Sequence, residues 1–275
     1  MEEKLTAKDY ITNHNYLSYS TFCRFLECEA AAKANYKPAS SIAQLVGSYI
    51  DAYYSNELDT FVQEHPEIIN SRTGALKNDF ANAERLIERA KHDEVFNYYM
   101  SGEKQVIMTG KIEGVPFKIK MDSYKPGEFI TDLKILKDFD NIWVNGRKMN
   151  IVEGYNYDIE LAIFQEIVRQ NTGKVLKCYL ACLTKQDPAD IGVFEIPQKN
   201  LDEALAIVKR NLPRIIKIRN GEIAPHRCEQ CAYCRMTRKA KIMPFDLMGY
   251  SGDQLRELGY VCDDEIKEEK ENGNH

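Results

Sequence analysis

A change of hydrophobic period near residue 100 limits what this chain can fold into. Before it, apolar residues recur at helical spacing, as Phe80, Ala83, Ile87 and Ala90 do. After it the period is two. Val115, Phe117, Ile119 and Met121 alternate with Lys118, Lys120 and Asp122, the pattern of a half-buried strand. Lys125-Pro126-Gly127-Glu128 reads as a turn, and EFITDLKIL, residues 128–136, as the strand after it. The two make a hairpin-like pair, preceded by a strand over about residues 105–112.

Helices are expected over residues 18–34, 41–64 and 78–99, the first two opened by serines suited to capping. Residues 137–150 read as a polar loop carrying the only tryptophan, Trp143, and residues 152–171 as helix again. Residues 175–184 are too apolar for an exposed strand and suit a central one. A strand over 191–197 and a long helix over 199–220, kinked at Pro213, complete the pattern. This order gives one α/β domain over residues 1–245, with a cysteine-bearing loop, and a tail over 246–275.

A chain of 275 residues, 44% hydrophobic and 29% charged, can bury a core, which excludes wholesale disorder. It contains no run of about 18 apolar residues and opens without a secretory h-region, so the expectation is a cytoplasmic protein with reduced thiols. The net charge of -5 argues against a general nucleic-acid coat protein. It leaves a nuclease open, because phosphate binding depends on a local patch.

Asp132 and Lys134 lie two apart on a predicted strand, so their side chains leave the same face. Asp122 ends the preceding strand across a short turn, where it can converge on them. Two carboxylates can hold Mg²⁺ or Mn²⁺ through oxygen, with the Leu133 carbonyl as another ligand. Such an ion offsets phosphate charge and acidifies a water, and a neighbouring lysine orients the attack. On residue types alone, the same three groups also fit solvated charges on a hairpin.

The stretch GKIEGVPFKIKMDSYKPGEFITDLKILKD, with its Asp, gap and D-x-K, resembles the core of PD-(D/E)XK nucleases. More narrowly, the chain is similar to phage-type exonucleases related to RecE. Their serine-rich opening is matched by Leu17, Ser18, Tyr19 and Ser20. Their G-x-x-x-H helix is matched by Gly47 to Asp51, with aspartate in the position of the metal-binding histidine. Their Q-x-x-x-Y helix is matched at Glu160 and Phe164. The resemblance implies a restriction-endonuclease-like core, a mixed central sheet flanked by helices. It implies catalysis by Asp122, Asp132, Lys134 and Glu160, a metal held by Asp51, Asp122, Asp132 and Leu133, and DNA contacts from Tyr155 and Tyr157. It also implies end-trimming of double-stranded DNA that leaves a single strand for an annealing partner, with oligomerisation left open.

Cys228, Cys231 and Cys234 form two successive C-x-x-C spacings, a pattern that binds zinc or an iron–sulfur cluster. Cys28 is the candidate fourth ligand. Its FLECEAAAK segment resembles the first-cysteine helix of AddB-type and CRISPR-adaptation nucleases, which implies a [4Fe–4S] cluster; their last spacing is longer. Spacing alone leaves Zn²⁺, the cluster and free thiols open. Cys178 and Cys182 read as core, and Cys262 as incidental. Arg235, Arg238 and Lys239 head a run of basic charges suited to phosphate contact. Three functions fit: a DNA exonuclease, an endonuclease or defence nuclease with the same site, and a DNA-binding module organised by the cysteines.

Overall fold

The computed structural model describes residues 5–260, residues 40, 145 and 241 excepted. Its strands are β1 (Val106–Ile112), β2 (Val115–Met121), β3 (Ser123–Lys125), β4 (Phe129–Leu136), β5 (Ile142–Val144), β6 (Arg147–Met149), β7 (Lys177–Thr184) and β8 (Ile191–Ile196). Helices α1 (Ala7–Thr12), α2 (Tyr19–Glu27), α3 (Glu29–Lys33), α4 (Ile42–Tyr54), α5 (Leu58–Glu64), α6 (Asn78–Lys91) and α7 (Glu94–Tyr99) precede them. Helices α8 (Ile151–Gly154) and α9 (Tyr157–Thr172) lie between β6 and β7; α10 (Gln198–Asn220), α11 (Ala232–Thr237) and α12 (Gly252–Glu257) follow β8. Two compact units result. One holds the described residues of Met1–Leu17 and Ser40–Val208, the other those of Ser18–Ala39 and Lys209–His275.

The first unit is built on a mixed sheet of order β3-β4-β7-β8. β4 pairs antiparallel with β3 and parallel with β7, and β7 pairs antiparallel with β8. β7 is buried along almost its whole length, which explains its continuous apolar run. Alternation then divides β4 between two environments. Leu133 and Ile135 join Ala181 and Leu183 in a core with Val46 and Ile50 of α4 and Phe80 and Ile87 of α6. Asp132 and Lys134 leave by the opposite face, where Lys134 meets Glu160 of α9. The expected mixed sheet flanked by helices is therefore present.

Several boundaries differ from expectation. Asp122 does not end β2; it occupies the bend joining β2 to β3, and the hairpin partner of β4 is β3, with Ser123 opposite Thr131. The single helix expected over 41–64 breaks at Asn56, which has φ 61. That over 78–99 breaks at Asp93, which caps α7 by accepting from Phe96 N. That over 152–171 breaks at Asn156, φ 59. The polar loop of 137–150 contains the β5–β6 hairpin, in which Trp143 faces Lys148.

In the second unit the helix expected over 18–34 breaks at Cys28, whose φ −163 and ψ 106 are extended backbone. Ser18 caps α2 by accepting from Thr21 N. Glu29 then joins distant segments. It takes two hydrogen bonds from Arg214, at 2.6 and 2.8 Å, and one from His226 N at 2.7 Å, while Ala30 N donates to His226 O. Of the expected tail, residues 246–260 carry a 3-10 turn at Phe245–Leu247 and helix α12. At Gly252 a side chain has no room: a Cβ there would lie 1.8 Å from Arg227 O, and Gly252 N donates to Cys228 O. The acidic end of the chain and Cys262 lie outside the described residues.

Candidate active site and cysteine centre

The sheet brings the first group of predicted site residues together. Asp122 Oδ2 accepts the Leu133 N–H at 2.9 Å, which binds the bend after β2 to the middle of β4. Lys134 Nζ lies 2.5 Å from Asp132 Oδ2 and donates to Glu160 Oε2 at 2.7 Å. Asp51, from α4, joins through Gln105, whose Nε2 is 2.9 Å from Asp51 Oδ1 and 3.4 Å from Asp122 Oδ1. Phe164, one turn beyond Glu160, is instead buried in the core.

Four acids crowd the centre, with Lys134 between Asp132 and Glu160 and Lys104 and Lys120 acting on Asp51. Burial, followed by the charges of Asp132 and Asp51, pushes the Asp122 carboxyl well above its ordinary range. Burial and then Asp132 push Glu160 up to about 7, with Lys134 opposing. Asp51 is raised by burial, and Lys120 works against that. Burial disfavours the Lys134 ammonium, but Asp132 and Glu160 outweigh it and hold the lysine charged. Asp132 Oδ2 is buried beside the Lys134 ammonium. A divalent cation fits this donor set, since several buried carboxyl groups crowd there and would supply its oxygen ligands.

Sequence reasoning missed Gln105, Lys104 and Tyr10. Gln105 has φ 52, a left-handed backbone unusual outside glycine, and its Oε1 is buried without a hydrogen-bond partner. Lys104 Nζ is buried near Asp122 and Asp51, and burial lowers its pKa. The Tyr10 hydroxyl is pushed up to about 12, by burial and then by Glu160, Asp122 and Asp132. None of the three stands in a spacing pattern that periodicity detects.

The remaining predicted DNA contacts fall into two groups. Tyr157 lies with its ring centroid 4.8 Å from Lys134 Nζ, and Tyr155 packs on it at 5.6 Å between centroids. Arg235 donates to Gln230 O at 2.6 Å, and Arg238 lies 3.0 Å from Glu229 Oε2, so both guanidinium groups serve the cysteine loop. Lys239 is exposed.

The predicted cysteines form a closed set. The Sγ atoms of Cys28, Cys228, Cys231 and Cys234 all lie within 4.8 Å of one another. Cys28 Sγ is 3.6 Å from Cys234 Sγ, and Cys228 Sγ is 3.9 Å from it. The helix break at Cys28 places the first sulfur; the N–H groups of Cys231 and Cys234 donate to Cys228 Sγ and Cys231 Sγ. Burial raises the Cys28 and Cys234 thiols; at Cys228 burial is outweighed by the N–H groups of Gln230 and Cys231, and its pKa falls. Cys178 and Cys182 lie buried in β7, and burial pushes Cys182 up to about 12, as suits inert core thiols.

A mixed sheet with two aspartates and a lysine on and beside β4 is an arrangement of PD-(D/E)XK type, and the comparisons show a fold and family of that kind. The family described as "PDDEXK-like domain of unknown function (DUF3799)" matches residues 18–237, and the chain belongs to it. A solved structure from Eubacterium rectale, at 2.19 Å and described as a "putative exonuclease", is 41% identical, with a TM-score of 0.85. That alignment covers 90% of this chain and 99% of the other. A second structure, SSO0001, aligns over 82% of this chain and 96% of its own at 13% identity and a TM-score of 0.33, a likeness too slight to bear on function. Among curated proteins no match is found. Family and fold support a nuclease. Among the described residues, no helix is long and apolar enough to cross a membrane.

Proposed function

We propose that this protein is a metal-dependent DNA exonuclease, its nuclease domain spanning residues 1–245. The observation that carries the reading is the burial of Asp122, Asp132 and Lys134 close to one another at the middle of β4, with Glu160 on the lysine. Asp51, Asp122, Asp132 and the Leu133 carbonyl would hold Mg²⁺ or Mn²⁺. When bound, such an ion offsets phosphate charge and lowers the pKa of a water. Lys134 stays charged between Asp132 and Glu160 and would face the negative charge carried by the phosphoryl oxygens as water attacks phosphorus and the bond to the leaving sugar oxygen breaks. Glu160 is a positioning residue, because it fixes the ammonium group. The resemblance to RecE-like exonucleases supports action at double-stranded ends, in recombination with a single-strand annealing protein.

The cysteine set would hold one zinc ion. Four thiolates around tetrahedral Zn²⁺, at Zn–S of about 2.3 Å, lie about 3.8 Å apart. The sulfur separations of 3.6 and 3.9 Å match that spacing. A [4Fe–4S] cluster places each thiolate on a different iron at the corners of a cube, which spreads the sulfurs further.

The test uses end-labelled linear duplex and closed circular DNA with Mg²⁺ or Mn²⁺, alongside Asp132→Ala. Loss of linear DNA only, abolished by the substitution, is the expected result. Cutting of the circle would make the protein an endonuclease. Binding without any cleavage would make it a DNA-binding module.

A further inference from the structure

The first unit carries a cleft of about 420 Å³ beside the carboxylates, between the end of β4 and the β5–β6 hairpin. Ile135, Leu136, Trp143, Tyr155 and Tyr157 supply its apolar walls, and Lys137, Asp138, Asp140 and Asn141 its polar side. Trp143 is 73% exposed and Tyr155 48%. A tryptophan so exposed gives up the burial that makes the residue stabilising, which turns attention to what covers it in use. The hairpin that presents it is firmly seated. Ile142 and Val144 press on Gly154 of α8, where a Cβ would lie 2.7 Å from Ile142 Cδ1. Trp143 stands directly opposite Lys148 in the ladder, so an indole and an exposed ammonium-bearing side chain leave the same side of the hairpin.

The cleft adjoins the candidate active site at Tyr157, which lines it and whose ring lies against Lys134, and at the end of the strand that carries Asp132 and Lys134. We propose that the cleft stacks a nucleobase of an unpaired DNA strand whose phosphate lies at the carboxylate–lysine centre, an inference that rests on the nuclease reading. A base offers its flat face only when it is unpaired, and stacking on aromatic rings tolerates every base. Lys148 supplies the charge for a neighbouring phosphate. The occupant is therefore the frayed or single-stranded end of DNA, held without reading its sequence.

Trp143 is the single tryptophan of the chain, so its fluorescence reports on its own cleft. The full-length protein, dialysed free of Mg²⁺ and Mn²⁺ without a chelator so that cleavage is suppressed and cysteine-bound metal is kept, is titrated with an oligothymidylate and with a duplex closed by hairpin loops at both ends. Saturable quenching by the single strand is expected, with weaker quenching by the closed duplex. In fluorescence anisotropy with a labelled oligothymidylate, Trp143→Leu should bind about tenfold more weakly while Trp143→Phe keeps most of the affinity. Single-strand binding with Trp143 unquenched, or undiminished in Trp143→Leu, overturns the proposal, as does absence of single-strand binding. Quenching by a protein that cleaves no DNA with Mg²⁺ or Mn²⁺ would instead remove the nuclease reading and leave the stacking site standing.

Discussion

The two candidate metal centres differ in closure, and the difference follows their donors. At the cysteine centre four sulfurs lie within 4.8 Å of one another; among the described residues, no set of three or more carboxylate oxygens or histidine nitrogens at the acidic centre closes so far. Thiols are neutral when protonated and can crowd without charge repulsion. Ionised carboxylates repel, and here Gln105 bridges two of them while Lys134 draws on Asp132. A closed tetrahedral thiolate set suits an ion that holds a fold together, and an open oxygen set suits one that must admit a substrate. On the proposed reading the cysteine centre would serve stability and the acidic centre chemistry.

The largest effects expected are losses of opposite kind. Lys134→Ala should lower DNA cleavage by about a hundred- to a thousandfold, the scale of losing a charge-stabilising donor, with circular dichroism and metal content at the cysteines unchanged. Cys234→Ala should abolish stoichiometric zinc, measured by elemental analysis, and lower the thermal transition by about 10 °C or more. Iron and sulfide in place of zinc, or a cysteine variant as stable as the parent, would break the comparison.

How far the sequence reveals this division depends on the physics of each element. The alternation through Val115–Met121 and the apolar run of β7 are legible, because burial on one face or two leaves periodic marks. Asp132 and Lys134 follow from that periodicity. The β5–β6 hairpin carries a signal too, the Asn145-Gly146 pair between Ile-Trp-Val and Arg-Lys-Met, which the polarity of the surrounding loop obscures. The break at Cys28 has no local mark: FLECEAAAK favours helix, and the extended residue is held from a distance by Glu29 with Arg214 and His226. Gln105 is likewise invisible, since its role depends on Asp51 and Asp122, which are far from it in sequence.

An intermediate effect concerns the charge at the acidic centre. Asp122 has its pKa raised above the unfolded value, so its ionisation opposes folding. In metal-free protein its contribution is most favourable at low pH and declines as pH rises through the interval above 3.8, the ordinary aspartate value. Glu160 acts in the same direction between 4.5 and about 7. Exposed acids such as Glu88, whose pKa is lowered, act oppositely, so the informative quantity is the difference between parent and variant. Dialysed free of Mg²⁺ and Mn²⁺ without a chelator, Asp122→Asn should melt a few degrees above the parent at pH 7, with the gap narrowing toward pH 4. Added Mn²⁺ should raise the parent's transition and leave the variant's nearly fixed. A variant less stable than the parent at pH 7 would show that the acidic centre, like the cysteine one, is built for stability.

The smallest effect is expected at Gln105, where the two kinds of centre can be told apart most finely. Its amide joins Asp51 to Asp122, and its Oε1 is buried without a partner. If it spaces the carboxylates for an ion, Gln105→Ala should raise the Mn²⁺ concentration needed for half-maximal cleavage by about tenfold, the lower end of what supporting residues around a metal contribute. Cleavage at saturating Mn²⁺ should stay within a few-fold of the parent. Gln105→Glu places a fifth acid there and should tighten the metal requirement, because an ion compensates the added charge. If instead Gln105 serves only to tie α4 to the strand region, both substitutions should lower the thermal transition measured without Mg²⁺ or Mn²⁺ and leave the metal dependence alone. The sign of the Gln105→Glu shift decides between them, since a merely structural bridge gains nothing from a third negative charge beside Asp51 and Asp122.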